Sequence, residues 1–196
     1  MTKSDHDIII GILTEAFEQN PRFQAVIKKN NPARSVRHMT EYAFKLVERL
    51  GGIYLSEDKT TVLFYYTKSQ YNRKLMDYLR YFRMFRLAIR PSQYLPAARR
   101  EKRIRSLRKD YPDYIYVWVL GSIPNNKSLR GLADIRDHLF GLSEQLKLPI
   151  LIETTVERVL KLYRYVGFEE YNQWTDPEAG IHVWFLERKL KTPAHT

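Results

Sequence analysis

Two short apolar runs, set one amphipathic helix apart, most restrict what this chain can become. Tyr114–Leu120 and Pro149–Thr154 are nearly unbroken stretches of β-branched, aromatic and aliphatic residues. Such runs read as strands covered on both faces. Between them, Leu132, Ile135, Leu139, Leu142 and Leu146 recur at helical spacing and predict a helix from about Leu129 to Leu146. Two buried strands joined through a helix run parallel, with a right-handed crossover. The polar stretch Gly121–Ser128 becomes the loop that enters the helix.

The flanking segments fit around that unit. Asp7–Lys29 predicts a helix broken near Asn20-Pro21, and Pro32–Leu50 a second helix stopped by Gly51-Gly52. Ile53–Leu55 and Thr61–Tyr66 form a hairpin around Ser56–Lys59. Tyr71–Ile89 is helical, with Leu75, Leu79, Phe82 and Phe85 on one side and Arg73, Arg80, Arg83, Arg86 and Arg90 on another. The aromatics Tyr71, Tyr78, Tyr81, Phe82 and Phe85 are expected mostly to face the core. A further basic helix with Arg99, Arg100, Arg103, Arg105 and Arg108 runs up to Pro112. Val156–Val166 is a short helix closed by Gly167, and Phe168–Trp174 and Ile181–Arg188 are the strands of a last hairpin. The expected class is α/β (α+β), a mixed central sheet flanked by helices. It is read as one domain over 1–196, with 1–113 preceding a core at 114–190.

Cysteine is absent, which excludes disulfides and thiolate metal sites, and the histidines show no metal-ligand spacing. The longest apolar runs are too short to cross a bilayer, and the N-terminus lacks the pattern of a signal peptide. A cytoplasmic protein is expected. The net charge of +11 calls for an anionic partner, be it a nucleic acid, an acidic membrane surface or a phosphorylated cosubstrate.

The passage Leu148-Pro149-Ile150-Leu151-Ile152-Glu153-Thr154, followed by Leu162-Tyr163-Arg164-Tyr165-Val166-Gly167-Phe168, resembles the GNAT superfamily of N-acetyltransferases. That resemblance implies a splayed parallel strand pair and direct transfer of an acetyl (acyl) group from acetyl-CoA to a primary amine. In this family the pantetheine arm pairs with the first of the two strands, here Val119, Leu120 and Gly121. The pyrophosphate rests on backbone N–H groups at the helix start, here Lys127, Ser128, Leu129, Arg130, Gly131, Leu132 and Ala133. Unpaired N–H groups and the helix dipole favour an anion there. Ser128 and Val156 depart from the family pattern, which has Arg or Gln at the first position and commonly Asn at the second. Tyr163 matches the tyrosine that protonates the leaving thiolate. Glu153, at the end of its strand, is a candidate base, and His38 and Glu41 are remoter ones. The first two helices and the hairpin are expected to wall the acceptor. No metal is expected. The aromatics of the last hairpin, Tyr171, Trp174 and Trp184, are candidates for a homodimer contact. The alternative reading is a catalytically inactive module of the same fold that binds a polyanion through its basic helices.

Overall fold

The computed structural model describes residues 2–126 and 128–190. Helix α1 (Lys3–Glu18) starts on a closed capping box: Thr2 Oγ1 accepts the Asp5 N–H at 3.1 Å, and the Asp5 carboxylate accepts the Thr2 N–H at 3.2 Å. Asn20-Pro21 ends that helical path, and only the short α2 (Pro21–Gln24) follows. Helix α3 (Pro32–Leu50) begins with Asn31 accepting the Arg34 N–H and stops at Gly51, whose φ of 72° suits glycine. Strands β1 (Ile53–Leu55) and β2 (Thr61–Thr67) form the hairpin, and helices α4 (Leu75–Ala88) and α5 (Tyr94–Ser106) come next. The core follows as β3 (Ile115–Ser122), α6 (Arg130–Leu146), β4 (Ile150–Thr154), α7 (Glu157–Tyr165), β5 (Glu169–Thr175) and β6 (His182–Arg188). The basic helix ends at Ser106 rather than near Pro112, so Arg108 sits in a loop that returns towards the sheet.

The sheet has the order β1-β2-β3-β4-β6-β5, and its neighbours are antiparallel except for the parallel pair β3–β4. Strand alternation sorts the core into two layers. Leu63, Ile115, Val117, Ile152 and Leu186 pack on α6 and α7, with Ile135, Leu139, Leu160 and Tyr163. On the other face, Val62 and Phe64 meet Ile9, Ile10 and Leu13 of α1 and Phe44 and Val47 of α3. Ile104 of α5 packs on Val183 and Phe185 of β6. Tyr171, Trp174 and Trp184 are half-buried against these same clusters.

Helix α4 docks by a different face from the one its apolar residues suggested. Leu75, Tyr78, Leu79 and Phe82 are exposed, whereas Asp77, Met84 and Ala88 are buried, with Tyr81 and Phe85 packed beside them. The cause lies in the first turn. Asp77 accepts the Lys74 N–H at 2.9 Å, which closes the helix start, and pairs with Arg49 of α3 at 2.7 Å. A buried ion pair at one end fixes the rotation of the helix, and the leucines turn outward.

Two contacts tie sequence-distant segments. Arg100 of α5 and Asp176, in the turn before β6, form a buried ion pair, and Asp176 also accepts the Glu178 and Ala179 N–H groups. Gly131, in the first turn of α6, lies against the β1–β2 hairpin. A Cβ there would come 2.4 Å from Thr60 Oγ1, 2.6 Å from Thr61 Oγ1 and 2.9 Å from Asp58 Oδ1. Close packing of helix on hairpin therefore accounts for this glycine.

Burial pushes the pKa of Asp176 up, but the hydrogen bonds from Arg100 and the two N–H groups outweigh it and hold the carboxyl below its ordinary 3.8. A folded pKa below the unfolded one contributes stability above the unfolded value, lost as pH falls through the folded value. Asp176→Ala is expected to cost about 3–5 kcal/mol at neutral pH in urea melts. The gap from the parent protein should close as the pH falls below 3.8. Gly131→Ala is expected to cost about 1–3 kcal/mol by overpacking the hairpin. An unchanged urea midpoint would mean that the glycine serves a ligand instead.

Candidate active site

Strands β3 and β4 are joined at three positions, Ile115↔Ile150, Tyr116↔Leu151 and Val117↔Ile152. Beyond Val117 and Ile152 they part. Strand β3 stays paired to β2 as far as Ser122, but Phe64 faces Val119 and Tyr65 faces Val117, which leaves Trp118 without a partner. Such a bulge bends its strand and adds twist. Strand β4 meanwhile follows β6 to Thr154↔Trp184. Each strand keeps to its outer neighbour, and a gap opens between them.

Two cavities meet at that gap, one of about 310 Å³ and one of about 160 Å³. Their walls share Val117, Leu120, Ile152 and Tyr163. The smaller cavity lies on the α6–α7 side and is lined by Leu129, Leu132 and Ala133 together with Leu162 and Tyr165 of α7. The larger lies on the α1–α5 side, where Val119 and Trp118 reach it from β3.

The residues expected to hold a cosubstrate are therefore only partly brought together. Leu120, Leu129, Leu132 and Ala133 line the smaller cavity, while Val119 lines the larger. Gly121 packs under α1, where a Cβ would meet a Leu13 methyl at 2.7 Å. Ser128 and Arg130 are exposed at the start of α6. There Ser128 Oγ accepts the Arg130 N–H at 3.2 Å, and no side chain caps the helix at Leu129. Lys127 lies outside the described residues. An apolar slot, a β3 edge unpaired past Val117 and the N-terminus of a 17-residue helix suit a long amide-bearing chain that ends in phosphate.

Tyr163 stands at the junction. Its residue is 8% exposed, and its hydroxyl makes no hydrogen bond among the described residues. Burial pushes its pKa above the ordinary tyrosine value, so the phenol keeps its proton at neutral pH. Glu153 reaches the larger cavity from the end of β4. Arg108 Nε holds its Oε1 at 2.7 Å and, through Nη2, the Tyr116 hydroxyl at 2.6 Å. Glu153 Oε2 is buried and accepts no hydrogen bond, with Arg22 Nη1 at 3.9 Å. His38 and Glu41 lie 3.7 Å apart and line neither cavity, although their helix contributes Met39, Tyr42 and Ala43.

Sequence reasoning missed the charged and hydroxyl lining of the larger cavity. Arg22, Arg73, Arg100, Glu101 and Arg105 all contribute to it, and so does Tyr42. The basic stretch is not one solvated face, since Arg73 and Arg100 turn inward and the exposed Arg105 still reaches the cavity, while Arg83, Arg86, Arg99, Lys102 and Arg103 are exposed away from its lining. Only the aromatics interleaved at Tyr71–Phe85 hinted at that, and their helical spacing did not tell which would carry an arginine. Among the described residues no group of three or more His, Cys, Asp or Glu is placed to hold a metal, and no helix is long and apolar enough to cross a membrane.

No family model and no curated relative matches the chain. Solved structures do match it. One, described as histone acetyltransferase HPA2 and related acetyltransferase from Corynebacterium glutamicum, is similar with a TM-score of 0.69 and 15% identity, over 99% of this chain and 96% of that one. The C-terminal condensation domain of Ebony, in complex with beta-alanyl-dopamine, is similar with a TM-score of 0.64 and 6% identity, over 97% and 96%. A Drosophila melanogaster polyamine N-acetyltransferase that forms N-acetylagmatine is similar with a TM-score of 0.57 and 13% identity, over 95% of both chains. The chain has the fold of the GNAT acetyltransferases.

Proposed function

We propose that the protein is an N-acyltransferase that moves an acetyl (acyl) group from acetyl-CoA to a primary amine. The observation that carries this reading is the meeting of two cavities in the gap past Val117 and Ile152, with Tyr163 in both walls. Two reactants must approach one carbon from different sides, and this geometry gives each its own entrance. The smaller, apolar cavity takes the pantetheine arm and presents the thioester at the gap. The N–H groups of the first turn of α6 and the Arg130 side chain face the pyrophosphate. The larger cavity takes the amine.

In the proposed reaction the amine nitrogen attacks the thioester carbonyl carbon. The C–N bond forms and the C–S bond breaks. Tyr163 gives its phenolic proton to the departing sulfur. The nitrogen loses one proton to Glu153 Oε2, the carboxylate oxygen left without a hydrogen bond, and the proton count balances once the two groups re-equilibrate with water. Arg108 holds the other oxygen and keeps Glu153 turned towards the cavity.

Acetyl-CoA is expected to raise the melting temperature, by the equivalent of about 2.7 kcal/mol at a hundred-fold excess over Kd. Absence of any shift at millimolar acetyl-CoA would remove the cosubstrate. Tyr163→Phe is expected to lower kcat by about 10²-fold or more while leaving CoA affinity nearly unchanged. Glu153→Gln keeps an oxygen for Arg108 and removes the charge, and should lower kcat/KM by a similar factor. Full turnover in either variant would take that residue out of the mechanism.

A further inference from the structure

The larger cavity carries more positive charge than an ordinary amine acceptor calls for. Arg100 is neutralised by Asp176. The other charged lining residues set Arg22, Arg73 and Arg105 against Glu101 and Glu153, an excess of one positive charge, and Arg108 stands behind Glu153 outside the lining. Arg22 and Arg105 both reach Glu101, and Arg108 holds Glu153.

Arg73 is the cation with no carboxylate partner among the described residues. Its Nε donates to the Tyr71 hydroxyl at 2.8 Å, and its guanidinium carbon lies 5.8, 6.0 and 5.3 Å from the ring centres of Tyr71, Tyr78 and Tyr81. Three ring faces hold the charge in place. They leave both Nη groups without hydrogen bonds among the described residues, and the half-buried side chain lines the cavity. The charge of Arg105 also acts on it, an unfavourable neighbour that an anion between the two would offset.

A second, independent observation stands beside it. Tyr42 is 8% exposed and also lines the cavity, and its buried hydroxyl has no hydrogen-bond partner. Its ring is fixed at 5.7 Å from Tyr81 and 6.3 Å from Trp118. A donor held in place and left unpaired is costly unless something accepts from it. Guanidinium Nη groups together with a phenol O–H make a receptor for a planar or tetrahedral anion.

We infer that the acceptor is an amine that also bears an anionic group, held by Arg73 and the Tyr42 hydroxyl with Arg105 nearby, while an aromatic or aliphatic segment lies along Phe23, Tyr81 and Trp118. This rests on the larger cavity being the acceptor side, as the proposed function has it. The acceptor class is then an amino acid or another amino-carboxylate, or an amino-phosphate with the same anion chemistry, and not a polyamine. A dication would meet an uncompensated positive charge in this cavity.

The test uses the full chain and matched probes. L-phenylalanine and 2-phenylethylamine differ by one carboxylate, O-phosphoethanolamine and ethanolamine differ by one phosphate, and agmatine is the dication. Binding is measured by calorimetry with and without CoA, and acetyl transfer is measured in parallel. One of the two anionic probes is expected to bind about ten-fold or more tightly than its plain partner, and the pair that shows it names the anion. The preference should collapse in Arg73→Gln and be retained in part by Arg73→Lys. Should Arg73→Gln fail to fold, Tyr42→Phe, which removes only a hydroxyl, should lower the preference by about three-fold. Equal or tighter binding of the plain amines or agmatine overturns the inference. So does a failure of every probe to bind, or a preference untouched by Arg73→Gln or, in its place, Tyr42→Phe. Loss of transfer to all probes with the preference intact overturns the acyltransferase reading and leaves the anion site standing. Transfer to plain amines without any preference does the reverse.

Discussion

The site depends on how short the contact between β3 and β4 is. After three paired positions each strand stays with its outer neighbour, β3 with β2 and β4 with β6. Separation of two central strands leaves backbone donors and acceptors on facing edges, and buried backbone groups need partners. The bulge at Trp118 serves that separation, because a strand that gains a residue against β2 must swing away from its other neighbour. The two cavities, the exposed β3 edge and the location of Tyr163 all follow from this one departure from a continuous sheet. A full-length β3–β4 pairing would close the gap and divide the molecule into two unconnected surfaces.

Charge is the second constraint, and it is distributed more economically than a net +11 suggests. Much of the basic stretch in 73–108 is committed to internal pairs: Arg80 to Asp77, Arg100 to Asp176, Arg105 to Glu101 and Arg108 to Glu153. The first and third lie within α4 and α5, while Arg100 joins α5 to the turn of the last hairpin and Arg108 joins the following loop to β4. Through Arg73, Arg100, Glu101 and Arg105 the basic helices supply one wall of the larger cavity.

The sequence made the architecture legible where periodicity and punctuation agree. The span Pro32–Leu50 of α3 was readable to the residue, since Asn31-Pro32 and Gly51 mark its two ends. Strands β3 and β4 and their parallel connection followed from two apolar runs and the helix between them. Rotation of α4 about its axis was not legible. Leu75, Leu79 and Phe82 make a better apolar stripe than Met84 and Ala88, and only the tertiary partner of Asp77, twenty-eight residues away at Arg49, decides which stripe docks. The site was legible in proportion to how local its parts are. Leu129, Leu132, Ala133, Glu153 and Tyr163 fall where strand–loop–helix order puts them. The packing of Gly131 was not legible, because the groups that leave no room for a Cβ there belong to Thr60 and Thr61, seventy residues earlier in the chain. Arg73 and Tyr42 carried no signal, because an arginine on a basic helix and a tyrosine on an amphipathic one are common, and their meaning comes from a shared cavity.

That division separates what a likeness of fold carries from what the cavity side chains carry. The strand pair, α6 and α7 come from 114–190 and are what a common fold preserves. Most of the larger cavity is walled by side chains from the first 113 residues, including Tyr42, Arg73 and Glu101. Structural neighbours at 6–15% identity share the path of the backbone through both parts. They say nothing about a guanidinium held among three tyrosines. The charge that lines the larger cavity is thus written on the elements where a shared fold constrains side chains least.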